Sequence, residues 1–212
     1  MGIVAQQGET RTPIPAGKYL GVVVGVYDIG TQTGGKFGDK RQVVVTFELH
    51  KKKGVCRNEE GQPLLTSKFY NLSFGKKSGL RADVESILGR SFTETEAKAG
   101  YDVTDLADKV CWLVVKHETK DDGSIRDFID SFSLVDEDDP EPTSETDTVV
   151  FDRLDPSRPF PKEVPEWIQT MVKKSKEYAS PGSSGGGKPA AAPAKKRQTV
   201  PADDDDDDDP PY

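Results

Sequence analysis

Histidine and cysteine are scarce in this sequence, which has two of each among 212 residues. His50 and His117 each follow an apolar run, where exposed strand-end histidines are expected rather than metal ligands. Cys56 and Cys111 are far apart and form no CxxC pattern. The spacing therefore predicts neither a zinc site nor a disulfide framework, and it favours a reducing compartment.

Long apolar runs are also missing. No run of about 18 apolar residues occurs, so the sequence predicts no transmembrane helix. The opening residues, MGIVAQQGETR, lack the apolar core of a signal peptide, and the expected location is the cytoplasm of the (host) cell. Apolar residues make up only 33% of the chain, which indicates that a substantial part of it does not pack into a core.

No catalytic motif is complete. Residues 30–36 read GxxxxGK, but Phe37 stands where a phosphate-binding loop needs Ser or Thr, and a strand follows instead of a helix. A two-metal nuclease stays open as an alternative, although the spacing of its four carboxylates matches no metal motif: Asp102, Asp105, Asp108 and Glu118. We therefore expect a binding protein that is not an enzyme and has no cofactor or metal.

Basic charge is concentrated in the first part of the chain, although the net charge is −8. Residues 1–90 contain 14 Lys and Arg against 8 Asp and Glu, a net charge of +6. Residues 91–180 contain 11 against 22, a net charge of −11. The acidic total therefore does not exclude a nucleic acid as ligand.

The chain ends in DDDDDDDPPY. Seven consecutive aspartates repel one another, so residues 203–212 are predicted to be a disordered acidic tip, after a disordered Gly-, Ser-, Pro-, Ala- and Lys-rich linker at 179–202. The terminal ring and α-carboxylate suit a basic pocket on another protein. The predicted partner-binding residues are Asp203, Asp204, Asp205, Asp206, Asp207, Asp208, Asp209, Pro210, Pro211 and Tyr212.

This ending resembles that of bacterial single-stranded DNA-binding proteins, in which a disordered tail closes with several aspartates, a proline and a terminal aromatic residue. The resemblance implies that the tip recruits replication or recombination proteins. The alternative is a tail that only keeps the protein in solution.

Hydrophobic alternation predicts five strands, at about 18–27, 40–50, 64–72, 110–117 and 126–135. A helix at 78–88 with Gly89 at its end lies between the third and fourth strands, a capping box opens a short helix at Thr93, and a C-terminal helix covers 166–178. After a flexible lead at 1–12, residues 13–178 are therefore predicted to be a mainly β domain, a five-stranded OB-fold-like barrel. A generic α+β sheet is the alternative.

Alternation also predicts which side chains face the core. In the first strand the aliphatic face from Leu20 to Val26 is expected inside, which places Tyr19 and Tyr27 outside. Phe47 and Phe69 are predicted to be core residues, whereas Phe37 and Tyr70 are left open between packing and exposure. Trp112 and Trp167 lie on apolar stripes and are expected to pack.

Three stretches resemble a family of bacteriophage-encoded OB-fold proteins that bind single-stranded DNA: PAGKYLGVVVGVYDIGTQTGGKFGDKRQVVVTFEL, YNLSFGKKSGLRADVESILGRSFTETEA and LADKVCWLVVKHE. The resemblance covers residues 13–178. It implies an OB-fold that binds single-stranded DNA in phage-type DNA replication, recombination or repair. It transfers no individual DNA contact to a residue of this chain.

Binding to single strands requires cations for phosphates and exposed rings for bases. The candidates are Tyr19, Tyr27, Lys36, Phe37, Lys40, Arg41, Lys51, Lys52, Lys53, Arg57, Lys68, Tyr70, Phe74, Lys76 and Lys77. The alternative function is a protein-interaction adaptor that binds no DNA and has a solubilising acidic tail. Self-association is left open.

Overall fold

The structure is a computed structural model that describes residues 12–34, 38–52 and 54–179. Its strands are β1 (Gly17–Gln32), β2 (Lys40–Lys51), β3 (Gly54–Val55), β4 (Leu65–Asn71), β5 (Val110–Thr119), β6 (Ile125–Ser133) and β7 (Val149–Phe151). Its helices are α1 (Gly79–Leu88), α2 (Glu94–Ala99), a 3-10 turn (Val103–Leu106), α3 (Glu166–Lys173) and α4 (Lys176–Ala179). In this part of the chain no helix has the length and apolarity needed to cross a membrane.

The seven strands form one sheet, in the order β3-β2-β1-β5-β6, with β4 added beside β2 and β7 beside β1. β1 is the central strand. One edge pairs with β2 from Leu20 to Gln32, and the other edge pairs with β5 over Gly17–Val22 and then with β7 over Gly25–Tyr27. The mainly β architecture and all five predicted strands are confirmed, while the short strands β3 and β7 were not predicted.

The sheet does not close into a barrel. Among the described residues, β4 pairs only with β2 and β6 pairs only with β5, so one edge of each strand takes no part in the sheet. α1 packs against both of these strands, and its Asp83 accepts a hydrogen bond from Tyr70 and pairs with Lys68, both in β4. A side-chain bridge to a helix thus stands at the place where backbone pairing would close a barrel.

Two bulges in β1 divide its side chains between two cores. The register shifts between Val23 and Gly25 and again between Asp28 and Gly30. Before the first bulge Tyr19 and Val23 belong to the main core, whereas after it Tyr27 belongs to a second apolar cluster that is built with β7 and α3. The aliphatic residues from Leu20 to Val26 that were predicted inside are all buried, and Val26 lies in the main core. The predicted outward position of Tyr19 and Tyr27 was wrong, because both faces of β1 are covered.

The helices largely follow the predicted signals. The Ser78 hydroxyl caps α1, and Gly89 ends it with a φ of 63°, a left-handed conformation that suits glycine. The capping box of Thr93 and Glu96 is present at α2. The predicted C-terminal helix is interrupted at Ser175, which is buried, and is therefore two short helices.

Residues 136–148, here called the crossing segment, return from β6 over the outer face of the sheet. The backbone of this segment is anchored to the sheet. The N–H groups of Glu145 and Thr146 donate to the two carboxylate oxygens of Glu48 at 2.9 and 2.8 Å. His50 Nε2 lies 2.8 Å from the same carboxylate and is buried, so the prediction of an exposed His50 was wrong.

The carboxylate of Glu48 is fully buried and is used entirely for this anchor. Burial by itself would raise the pKa of Glu48, but the hydrogen bonds from Thr146, Glu145 and His50 outweigh burial and lower the pKa. The fold therefore stabilises the charged form of Glu48. This carboxylate joins β2 to a segment about 100 residues later in the chain.

Replacing this carboxylate should loosen the crossing segment. Glu48→Gln is expected to lower the free energy of unfolding at neutral pH by about 1–3 kcal/mol, measured by urea denaturation, because charge-assisted hydrogen bonds are lost. Glu59→Gln, at an exposed turn position, is the matched control and should cost almost nothing.

The pH dependence gives a further check on Glu48. Because its pKa is lower in the folded protein, the contribution is complete above the unfolded value of about 4.3 and is lost as the pH falls through the folded value. The difference between the wild type and Glu48→Gln should therefore shrink on acidification. A difference that stays constant with pH would show that the charge of Glu48 does not anchor the segment.

Candidate nucleic-acid interface

An exposed pair of aromatic rings lies on the outer face of β4. Phe69 is opposite Val44 in the pairing of β4 with β2, and its side chain is 46% exposed. Trp167, at the start of α3, is 43% exposed, and the two ring centroids are 6.1 Å apart. Phe69 was predicted to be core and Trp167 to pack; instead, both present a large part of their rings to solvent.

The tyrosines proposed for base stacking are buried. Tyr19, Tyr27 and Tyr70 are 2%, 4% and 6% exposed. The Tyr19 hydroxyl donates to the carbonyl of Pro15 at 2.7 Å, and the Tyr70 hydroxyl donates to Asp83 at 2.9 Å. Burial raises the pKa of Tyr70, as expected for a core phenol. The three predictions were wrong, because these rings hold the two cores together.

Phe74 packs within a small aromatic group at the edge of the main core. Its ring centroid lies 5.0 Å from that of Phe92 and 5.7 Å from that of Tyr101. The prediction that Phe74 stacks on a base is therefore not supported by its position. Phe37 lies outside the described residues, and its role stays a prediction.

On β4 the exposed ring is Phe69, one residue before Tyr70, the ring that was proposed for base stacking. Successive side chains of a strand point to opposite faces, so the choice between Phe69 and Tyr70 decides which ring is exposed. Both are aromatic, and the pattern around them fits either register. Tyr70 points inward because its hydroxyl reaches Asp83 in α1, a contact that no local pattern contains.

A groove of about 990 Å³ runs beside the ring pair. Its walls are β4, the hairpin of β5 and β6, the end of the crossing segment and the start of α3. Its charged lining residues are Lys68 and Arg126, against Glu118, Asp127, Asp147 and Glu163. Because the groove has more acidic than basic groups, we expect phosphates to bind outside it.

Four of the eight described candidate cations form an ion pair with a carboxylate. Arg41 pairs with Asp28, Arg57 with Glu145, Lys68 with Asp83 and Lys76 with Glu94. Except for the pair of Lys68, at least one partner in each pair is substantially exposed, and such pairs contribute little to stability. A phosphate can therefore replace the carboxylate at Arg41, Arg57 or Lys76 at small cost.

The remaining candidates are scattered. Lys51 lies over the ring of Tyr19, with its Nζ 4.9 Å from the centroid, and Lys52 and Lys77 are exposed. Lys36 and Lys53 lie outside the described residues, as do all ten residues of the acidic tip. The structure therefore does not bring the predicted cations together in one groove.

The outer face continues from the ring pair toward the hairpin of β1 and β2. The Gln42 side chain donates to Asn71 at 3.2 Å, two pairs beyond Phe69 and Val44. Lys40 alternates onto the same face of β2, at the end where Lys176 of α4 pairs with Asp39. Rings, amides and cations thus follow one another along this face.

The carboxylates of the nuclease alternative have structural partners. Asp102 caps the 3-10 turn by accepting from Thr104, and Asp108 accepts from Thr148. Within the described ranges no group of three or more His, Cys, Asp or Glu side chains is placed to hold a metal ion.

Comparison with known proteins adds no relative. The chain matches no family model and no curated protein sequence. A functional assignment therefore rests on the geometry of the ring pair and on the charges around it.

The register of β4 can be tested by exchanging one hydroxyl group. Tyr70→Phe should lower the free energy of unfolding by about 0.5–1.5 kcal/mol, because a buried hydrogen bond to Asp83 is lost. The matched variant Phe69→Tyr adds a hydroxyl to an exposed ring and should stay within about 0.5 kcal/mol of the wild type. The opposite order of effects in urea denaturation would mean that the register is shifted.

Proposed function

We propose that this protein binds single-stranded DNA through the outer face of β4, in DNA replication or recombination of the phage type. The observation that carries the proposal is the exposed ring pair of Phe69 and Trp167. Exposed aromatic side chains stack on bases of any sequence, and each stacked base contributes about 1–3 kcal/mol.

The surroundings of the ring pair support this proposal. The amides of Gln42 and Asn71 can exchange hydrogen bonds with base edges next to the stacked rings. Farther along the same face, Lys40 can bind a phosphate that connects those bases, whereas Arg41, the next residue of β2, points to the opposite face. A single strand of DNA would run from Trp167 across Phe69 toward the β1–β2 hairpin.

The strand order also supports an OB-like origin for the sheet. β1, β2 and β4 follow one another, α1 comes next, and the β5–β6 hairpin returns to the free edge of β1. We propose an OB-like sheet that is open between β4 and β6. In this proposal the acidic tip, which lies outside the described residues, recruits replication or recombination proteins.

A protein-interaction adaptor is the second candidate. The acidic groove and the free edges of β4 and β6 favour it, because an exposed strand edge can add an extended peptide and carboxylates attract a basic one. A protein of this kind would bind no oligonucleotide even at low salt.

Removing either ring should weaken DNA binding. Phe69→Ala and Trp167→Ala are each expected to weaken the binding of oligo-dT by about 1–3 kcal/mol, measured by fluorescence anisotropy of labelled DNA, because a stacking platform is lost. Leu134→Ala, which trims an exposed apolar side chain elsewhere, is the matched control and should bind normally.

Intrinsic fluorescence tests the same site without a label. Oligo-dT should quench the fluorescence of Trp167. The fluorescence of Trp112 should stay unchanged, because its Nε1–H donates to Asp139 at 2.6 Å and its ring is not part of the ring pair. Trp112→Phe is therefore expected to retain the quench and Trp167→Phe to abolish it. No binding of oligo-dT at low salt would exclude the proposal and favour the adaptor.

The salt dependence should be modest. In a plot of log K against the logarithm of the salt concentration, each contact with a phosphate of single-stranded DNA contributes about −0.7 to the slope. With about two contacts, at Lys40 and at Lys176 at the same end of the face, we expect a slope of about −1 to −2. A much steeper slope would place the phosphates on a larger basic surface than the described residues provide.

A further inference from the structure

A second pocket, of about 360 Å³, lies on the side of β7 away from the groove. It is formed by the stretch from Val150 to Pro161 and shares no lining residue with the groove beside Phe69. Its apolar lining includes Val150, which is 44% exposed, and Phe151 and Phe160, whose ring centroids are 5.6 Å apart. Asp152 and Asp155 also line it. The size and the lining suit one aromatic side chain.

Cations surround the apolar wall. Arg153 and Arg158 line the pocket, and Lys173 Nζ lies 5.4 Å from the ring centroid of Phe160. The two arginines pair with Asp152 and Asp155 of the same loop at 3.9 and 3.3 Å. All four of these side chains are at least 43% exposed, so a new carboxylate can replace either partner at small cost.

An apolar ring slot beside two guanidinium groups fits a ligand that joins an aromatic ring to a carboxylate. Arginine binds a carboxylate through two parallel hydrogen bonds, and it also lies flat against aromatic rings. The C-terminal residue of this chain, Tyr212, carries both groups on one residue, and seven aspartates stand just before it. The two arginines of the lining are balanced by Asp152 and Asp155, and Lys173 beside Phe160 adds one positive charge next to the pocket.

The chain leaves the described fold at the wall of this pocket. Tyr178, one residue before the last described residue, Ala179, stacks on Phe160 with ring centroids 5.6 Å apart. The 33 residues that follow can span up to about 110 Å when extended. The chain is therefore long enough to bring its own end back to the place where it leaves.

We propose that this pocket binds the C-terminal tip of the same chain, with the ring of Tyr212 against Phe160 and its α-carboxylate at Arg153 and Arg158. A tip held there is withheld from other proteins until it is released. The binding of the tip to the pocket does not depend on the DNA interface, since the two sites share no residue.

The test compares backbone amide spectra of the full chain with those of a variant that lacks only Tyr212. We expect the chemical-shift differences to fall on Phe151, Arg153, Arg158 and Phe160, besides the residues next to the deletion. The double variant Arg153→Gln, Arg158→Gln should remove the differences at Phe151 and Phe160, and high salt should reduce them. Arg126→Gln, in the groove, is the matched control and should retain them.

Each other outcome overturns the proposal. Differences confined to the residues next to position 212 would show that the tip binds nowhere on the fold. Differences on Leu65, Phe69 and Trp167 would place the tip in the groove instead. Differences that vanish on dilution would mean that the pocket takes the tip of a second copy. Both arginines are more than half exposed, so their replacement should leave the fold intact, which thermal unfolding can verify.

Discussion

Burial of β1 on both faces is the constraint on which the rest of the structure depends. The strand is hydrogen-bonded along both edges, and its two bulges send Tyr19 into one core and Tyr27 into another. A strand that is apolar on both faces needs cover on both sides. The side of the main core is covered by the other strands and α1, and the outer side is covered by the chain that returns after β6.

This outer cover decides where a ligand can bind. The crossing segment, β7 and α3 occupy the outer face over β1 and β2, and the cover ends at Trp167 beside β4. Among the described residues β4 pairs with no strand at its far edge, and Phe69, on its outer face, stays exposed at the border of the cover. The candidate interface is therefore a result of where the second core stops, and α3 contributes one of its two rings.

Charges in this protein act locally. Glu48 is buried with three hydrogen-bond donors and anchors an acidic segment by its backbone, so the segment needs no cation there. Most of the described cations in the basic first part of the chain are neutralised by nearby carboxylates such as Asp28 and Asp83. Because exposed pairs of this kind contribute little to stability, a phosphate or carboxylate of a ligand can replace the carboxylate at Arg57 as well as at the arginines of the β7 loop.

The sequence by itself determined the five main strands, the capped helices α1 and α2, and the core position of Phe47, because alternation, capping boxes and glycine stops are local signals. Only the tertiary structure decided that Tyr70 is buried and Phe69 exposed, that His50 is inside, and that the sheet stays open. These outcomes depend on partners distant in sequence, such as Asp83 for Tyr70 and Thr146 for Glu48. Periodicity shows which residues share a face, but it cannot show what will cover that face.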